Sequence, residues 1–110
     1  MEIGYKSHKL EKSLTDAKTM LATYGIRAKK VNQRMMELKA VANLEVMKSI
    51  PAANCHPLTA DREGEIAVDI SANWRITFMP DQDPLPSKED GGLDWTLVTK
   101  VKIIEVTDYH

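Results

Sequence analysis

Apolar residues recur at helical spacing through the N-terminal half of the chain. Two stripes have intervals of three or four residues, Leu10, Leu14, Ala17, Leu21 and Tyr24 in the first and Val31, Met35, Leu38 and Ala42 in the second. This period is typical of helices that bury one face. Ser7 is suited to cap a first helix that runs to about Thr23, and Gly25 is suited to end it. The short connection to the second stripe predicts an antiparallel helix hairpin, and Asn43 is a candidate cap for one more helical turn before Pro51.

The hydrophobic period changes from near 3.6 to 2 in the C-terminal half. Apolar and polar residues alternate in "GEIAVDIS" and in "NWRITF", and the turn between these segments predicts a β-hairpin. The opening "MEIGYK" alternates in the same way and predicts a short strand. A last strand is predicted from about Trp95 to Thr107, and its alternation slips at Ile103 and Ile104. That slip indicates either a β-bulge or a segment buried on both faces.

The segment between the last two strands is rich in acids and in residues that break strands. Residues 80–94 contain three prolines, two glycines and five acidic residues, so they cannot continue a strand and are long for a hairpin connection. They are predicted to form a mobile acidic loop. The whole pattern predicts an α+β fold in which the helix hairpin covers one face of an antiparallel sheet. The other face is then partly open, and a functional site would most naturally lie there.

Composition narrows the class of protein. A chain of 110 residues with 43% hydrophobic residues fits one domain, residues 1–110, with a single core. No apolar run approaches the ~20 residues of a membrane span, and the N-terminal residues lack the order of a signal peptide. Cys55 is the only cysteine and cannot form an internal disulfide. A cytoplasmic protein without a membrane segment is therefore predicted.

The net charge of −1 is unevenly distributed. Residues 1–48 carry ten Lys and Arg against five Asp and Glu, whereas residues 80–94 carry one lysine against five acids. A basic N-terminal half is compatible with a polyanionic partner, because lysine and arginine side chains attract phosphate. On charge alone, two solvated helix faces are the simpler interpretation.

Few residues have obvious chemistry when they are taken one at a time. Asp108 and His110 lie two apart on the last strand and would share a face if the strand stays regular, which makes a carboxylate–imidazole pair for proton transfer. The same "DYH" could be an exposed polar end. His56 stands alone in "NCHPL", and Arg75 lies mid-strand opposite the apolar face, where a charge needs an anion or water. A metal site from His56, Asp108 and His110 has no support in their spacing, so no metal and no cofactor is predicted.

Three blocks in a fixed order resemble the HigB branch of the RelE/ParE toxins of bacterial toxin–antitoxin pairs. They are "CHPLTADREGEIAVDI", "NWRITF" and the terminal "DYH", and the opening "HKLEKSL" and "YGI" are also similar to that family. The resemblance covers nearly the whole chain except the loop at 80–94. It implies helices on a curved antiparallel sheet. It also implies an endoribonuclease that enters the A site of the 70S ribosome, cuts mRNA without a metal, and binds a helix-turn-helix antitoxin of the HigA type in a hetero-oligomer.

By position, the resemblance assigns catalytic roles to His56, Asp108, Tyr109 and His110. Arg75 would stabilise charge on the phosphate, and which histidine acts as acid and which as base stays open. We expect His56, Arg75, Asp108 and His110 to line one exposed patch on the sheet face away from the helices.

The chain departs from the family pattern at two places. Thr59 and Ala60 stand where the family commonly has lysine and glycine, so a cation near the phosphate is missing. Arg62 or Lys100 is expected to compensate if the fold brings either one close. The acidic loop at 80–94 is longer than the family's usual turn and would repel RNA if it lay beside the site, unless it contacts the antitoxin or lies on the far rim.

Two other functions compete with RNA cleavage. One is a ParE-like inhibitor of DNA gyrase on the same fold, and the "DYH" end together with His56 argues against it. The other is a catalytically weakened homologue that mainly binds its antitoxin, an interpretation that the substitution at Thr59 keeps open.

Overall fold

The helical half forms the elements that its caps and apolar stripes predict, with one additional break. In the computed structural model, which describes residues 1–108, the helices are α1 (His8–Thr15), α2 (Ala17–Tyr24), α3 (Ala28–Ala40) and α4 (Leu44–Met47). The Ser7 side chain accepts a hydrogen bond from the Leu10 amide at 3.1 Å, and Asn43 caps α4 through the Val46 amide. Gly25 ends α2 with φ +55°, a backbone conformation that favours glycine. The three predicted caps are confirmed.

The predicted single helix from Ser7 to Thr23 is in fact two helices. Asp16 interrupts it with an extended backbone, φ −103° and ψ 116°. Its carboxylate accepts hydrogen bonds from the Thr19 amide and hydroxyl at 3.0 and 2.6 Å, and the hydroxyl hydrogen bond is the largest cause of the lowered pKa of Asp16. A side chain of this type competes with the helical backbone for hydrogen bonds, so it starts a new helix here.

The sheet has five strands and mixed pairing. The strands are β1 (Glu2–Tyr5), β2 (His56–Pro57), β3 (Ile66–Asp69), β4 (Trp74–Pro80) and β5 (Lys100–Asp108), in the spatial order β1-β5-β4-β3-β2. β3, β4 and β5 pair antiparallel, which confirms that part of the prediction, and the short strand β2, which the sequence did not predict, pairs antiparallel to β3. β1 pairs parallel to β5. A parallel pair needs a long crossover, and the intervening chain, which includes the helical layer, supplies it.

The core lies between the helices and one face of the sheet. Val31 and Leu38 of α3 are fully buried, as are Ile76 and Phe78 of β4. The slip predicted in the last strand is confirmed as a β-bulge, because Thr77 pairs with Glu105 while Phe78 pairs with Ile103. Ile104 is therefore the extra residue. The bulge reverses the parity of β5, and the face taken by every later residue of that strand depends on it.

The acidic segment 80–94 is tied to the start of β5. Gln82 accepts hydrogen bonds from the Thr99 and Lys100 amides at 2.8 and 3.3 Å and donates one to the Leu97 carbonyl at 3.2 Å. Residues Trp95–Leu97 form a 3-10 turn, so β5 begins five residues later than predicted, at Lys100. The mobility of the loop stays a prediction. None of the helices within residues 1–108 combines the length and the apolar character needed to cross a membrane.

Candidate active site

The sheet face away from the helices carries two cross-strand rows of mainly polar residues. The first row contains His56, Ala67, Thr77 and Glu105, and the second contains Asp69, Arg75 and Thr107. Their strand neighbours, such as Val68 and Ile76, are buried in the core, and alternation along a strand puts these two rows on the opposite face. His56 and Arg75 therefore lie on one face. They are two strands apart, about 10 Å across the sheet.

A hydrogen bond to the backbone holds the His56 imidazole in one tautomer. Its Nδ1 lies 2.7 Å from the backbone carbonyl oxygen of Asn54. A carbonyl oxygen can only accept, so Nδ1 carries the hydrogen. In the neutral ring this leaves Nε2 as the nitrogen that takes up a proton. His56 is half-buried on the edge strand β2, so the ring is anchored but still reachable from solvent.

Arg75 lies on this face with an acid beside it. It is half-buried and stands between Asp69 of β3 and Thr107 of β5 in the register of the sheet. Directly opposed side chains on one sheet face have Cβ atoms about 5 Å apart. The guanidinium of Arg75 is therefore positioned as a cation whose nearest cross-strand neighbour on β3 is a carboxylate.

Arg62, one of the two predicted substitutes for the missing lysine, also reaches this face. Its guanidinium donates to Glu65 at 2.6 Å and to the Thr77 hydroxyl at 3.4 Å, and it pairs with Glu105 at 2.5 Å. The hydrogen bond to Glu65 is the largest cause of the raised pKa of Arg62, and Glu105 adds to it. Two carboxylates therefore compensate its charge. Arg62 therefore reaches the sheet face that carries His56 and Arg75, but its guanidinium is already paired with the carboxylates of Glu65 and Glu105.

Lys100, the second predicted substitute, is not brought to the site. It is the first residue of β5 and lies 3.9 Å from the Glu2 carboxylate of β1. Thr107, the cross-strand neighbour of Arg75, lies seven residues further along the same strand, about 24 Å away at about 3.4 Å per residue. Lys100 thus lies at the far end of β5, and compensation by this residue would require a substrate that spans the strand.

The register corrects the expected position of Asp108. Asp108 pairs with Trp74, whereas Arg75 pairs with Thr107. Trp74 belongs to the alternating set that packs on the helices, so the Asp108 position falls on that face, at its exposed end. The reason is the parity change at the bulge. The expected patch contained His56, Arg75, Asp108 and His110. The register places His56 and Arg75 on one face and Asp108 on the other, while Tyr109 and His110 lie outside the described residues.

Two residues near this site were not singled out from the sequence. Arg34 of α3 is only 2% exposed, and it donates through Nε to the Asp69 carbonyl at 2.7 Å and through a terminal nitrogen to the Ala52 carbonyl at 3.0 Å. Its position three residues after Val31 and four before Leu38 was a signal for burial. The other residue is Asn54, whose link to His56 has no signature in the sequence because it depends on the fold.

The remaining candidates for chemistry are less suitable. Burial raises the pKa of the Cys55 thiol to about 12, so the thiolate nucleophile is scarce at neutral pH. Across residues 1–108, no three His, Cys, Asp or Glu side chains form a group that could hold a metal ion. The arrangement that is present can transfer a proton at His56 and stabilise negative charge at Arg75.

Comparison with known proteins identifies the fold. No family model matches the chain, and no curated protein matches it. Solved structures do match. A chain of the YoeB–YefM complex from Staphylococcus aureus is 16% identical with a TM-score of 0.55, over 100% of this chain and 97% of that one. The YoeB/ParE toxin from Agrobacterium tumefaciens is 14% identical with a TM-score of 0.52 over both full lengths.

A third structure agrees with these two. A mutant of YafQ from E. coli is 12% identical with a TM-score of 0.53, over 97% of this chain and 91% of that one. The chain therefore shares the overall fold of these structures, and its helices packed on a five-stranded sheet confirm the predicted α+β class.

Proposed function

We propose that this protein is an endoribonuclease toxin of the RelE/ParE type that cleaves mRNA on the ribosome. The observation that carries the proposal is the placement of His56, with Nε2 as the proton acceptor, on the same sheet face as Arg75. A base and a cation are two of the three groups that cleavage by a ribose 2′-hydroxyl needs. The similarity of the fold to YoeB and YafQ structures, one of them a YoeB/ParE toxin, supports the same class.

The reaction can be written with the groups that the structure provides. Nε2 of His56 accepts the proton of the 2′-hydroxyl as the 2′-oxygen attacks the adjacent phosphorus. The guanidinium of Arg75 compensates the negative charge that develops on the phosphorane oxygens. The bond from phosphorus to the 5′-oxygen then breaks, and that oxygen takes a proton from an acid. The products are a 2′,3′-cyclic phosphate and a 5′-hydroxyl. By the resemblance to the toxin family, we assign the acid to Tyr109 or His110, so His56 is the base in this scheme.

The electrostatics of the open face favour a substrate delivered by the ribosome over free RNA. Around Arg62 and Arg75 lie three carboxylates, those of Glu65, Glu105 and Asp69. Around these two arginines, the described residues carry no excess of positive charge that would draw in a polyanion. An mRNA already held in the A site needs only local charge compensation at the scissile phosphate, and Arg75 supplies it. When the ribosome holds the mRNA in this way, cleavage does not require the lysine that Thr59 replaces.

The partner and compartment follow from the same proposal. The S. aureus neighbour was solved as a YoeB–YefM complex, which supports a protein antitoxin for this chain as well. The resemblance to the HigB branch points to a helix-turn-helix antitoxin in a hetero-oligomer that acts in the cytoplasm. The catalytically weakened toxin is the second candidate, because Arg62 is engaged by two carboxylates and Thr59 replaces the usual lysine.

The experiment that tests the function is to induce the chain in bacteria and map mRNA 5′ ends by primer extension. We expect new ends inside translated reading frames, and we expect them to disappear with Arg75→Gln. Lys100→Gln is the matched control and should retain the cuts, because Lys100 lies at the far end of β5, away from Arg75. Growth arrest with intact mRNA would refute the nuclease and favour gyrase inhibition. Absence of toxicity would favour the weakened toxin.

The ion pairs of Arg62 with Glu65 and Glu105 lead to a further prediction about RNA binding. Glu105→Gln removes one of its two ion pairs, so we expect tighter binding of single-stranded RNA. One newly available cation steepens the dependence of log K on log salt by up to about 0.7 for single strands. Fluorescence anisotropy at several salt concentrations measures both quantities. Glu63→Gln, an exposed carboxylate on the neighbouring turn, is the control for net charge. Equal effects of the two variants would show that Arg62 is not released.

A further inference from the structure

We infer that Asn54 is a positioning residue that holds His56 as the Nδ1–H tautomer by tying the peptide before it to Asp69. This inference rests on the proposed function only for its effect on cleavage. The tautomer itself is a property of the free protein. Asn54 makes both contacts at once, because its backbone carbonyl accepts from His56 Nδ1 at 2.7 Å and its side-chain amide donates to Asp69 Oδ2 at 3.0 Å.

The backbone of Asn54 explains why this residue type is used here. It ends the 3-10 turn Pro51–Ala53 in the left-handed conformation, with φ 44° and ψ 53°. Among residues with a side chain, asparagine and aspartate adopt this conformation most readily. Only asparagine also offers an N–H donor to a carboxylate. Aspartate at this position would face Asp69 with a second carboxylate, and glycine would keep the backbone but lose the tether.

Asp69, to which the Asn54 side chain is tied, is itself held in place. The Asp69 carbonyl accepts from the buried Arg34 at 2.7 Å, and the same guanidinium donates to the Ala52 carbonyl at 3.0 Å. α3 thereby holds the end of β3 and the turn before Asn54 in one arrangement. Asp69 Oδ1 is buried and makes no hydrogen bond within residues 1–108. The Asn54 amide is therefore an important hydrogen-bond donor to this carboxylate.

The consequence for chemistry is a defined proton acceptor. If the Asn54 carbonyl moved away, the His56 ring could exchange tautomers or rotate, and Nε2 would no longer be the only acceptor. Hydrogen-bonding partners that orient a functional histidine in metal sites typically change activity by about 10- to 100-fold when they are removed. We expect an effect at the lower end for Asn54, about tenfold, because one hydrogen bond is lost while the carbonyl itself remains.

The test compares Asn54→Gly, Asn54→Asp and Asp69→Asn with the parent chain. Long-range proton–nitrogen NMR of the imidazole rings, at pH about 8.5 where histidine is ordinarily neutral, reports which ring nitrogen carries the hydrogen. The parent chain should show His56 with hydrogen on Nδ1. Asn54→Gly and Asn54→Asp should both shift it toward Nε2–H, and Asp69→Asn, which weakens the anchor without changing its shape, should shift it less. Asn73→Gly, an exposed asparagine in the β3–β4 turn, should leave the signal unchanged.

Cleavage kinetics add a second readout. We expect Asn54→Gly to lower kcat about tenfold with KM nearly unchanged, and urea unfolding shows whether the variant is folded. An Nε2–H signal in the parent chain, or an unchanged Nδ1–H signal in the folded Asn54→Gly and Asn54→Asp variants, would overturn the inference even if RNA is cut. Absence of cleavage by the parent chain would refute the proposed function, while the tautomer signals would still decide the role of Asn54.

Discussion

His56→Gln is expected to lower the rate of mRNA cleavage by about 100- to 10,000-fold, the usual contribution of a positioned acid or base. Glutamine keeps a polar side chain of similar length, but it cannot take up the proton of the 2′-hydroxyl at neutral pH. The hydrogen bond to Asn54 fixes Nδ1 as the donor, so the loss falls on proton transfer at Nε2. A single-turnover assay with ribosomes programmed with mRNA and saturated with the toxin isolates this step from binding.

The matched control is His8→Gln. His8 is at the start of α1, its side chain is 92% exposed, and its Nδ1 lies 3.9 Å from the Glu11 carboxylate. Its replacement should leave cleavage unchanged, which separates a specific effect of His56 from the general loss of an imidazole. Cleavage by His56→Gln at the parental rate would remove His56 from the mechanism. The base would then have to be sought at the other end of the open face or at the chain terminus.

Arg34→Met is expected to lower the free energy of unfolding by about 3 kcal/mol. The Arg34 side chain is 2% exposed and joins three partners, the carbonyls of Asp69 and Ala52 and the carboxylate of Glu37. Methionine fills much of the volume, but it leaves two backbone acceptors and a partly buried carboxylate without their donor. Each such loss costs about 1 kcal/mol or more. Urea unfolding followed by circular dichroism measures the difference.

Lys30→Met is the control for this change. Lys30 is exposed on the same helix, α3, so its replacement removes one positive charge without disturbing the core. We expect a change within about 0.5 kcal/mol. A similarly small change for Arg34→Met would mean that the buried hydrogen bonds contribute no net stability. The connection from α3 to the site would then be packing alone.

Local signals in the sequence predicted much of the fold. Ser7 and Asn43 act as caps because their side chains accept hydrogen bonds from amides at the helix ends, and Gly25 because its backbone adopts the conformation that ends a helix. Capping involves only a few neighbouring residues, so it can be predicted locally. The change of period predicted the strands, and the slip at Ile103 and Ile104 became the bulge. The break at Asp16 was missed, because the apolar stripe continues through it and conceals the competing side-chain hydrogen bond.

The site was less predictable than the fold. Placing Arg75 on the open face needed only strand alternation, whereas His56 was expected there because of the family resemblance, since its two-residue strand β2 was not predicted. The position of Asp108 needed the register beyond the bulge, which puts it opposite Trp74. The engagement of Arg62 by Glu105 brings together residues that are 43 positions apart, and no local pattern encodes such a pair. Lys100 lies far from the site because it is the first residue of β5.

Sequence patterns alone predicted most of the helices and strands, their caps, the buried faces and the candidate residues, because each depends mainly on interactions within a few positions. The resemblance of its three blocks to a toxin family added the expected chemistry. Only the tertiary structure decided that β1 pairs parallel to β5, that Arg34 is a buried link, and that Asn54 joins His56 to Asp69. These features depend on how strands distant in the chain align, and a shift of one residue in that alignment would move each side chain to the opposite face.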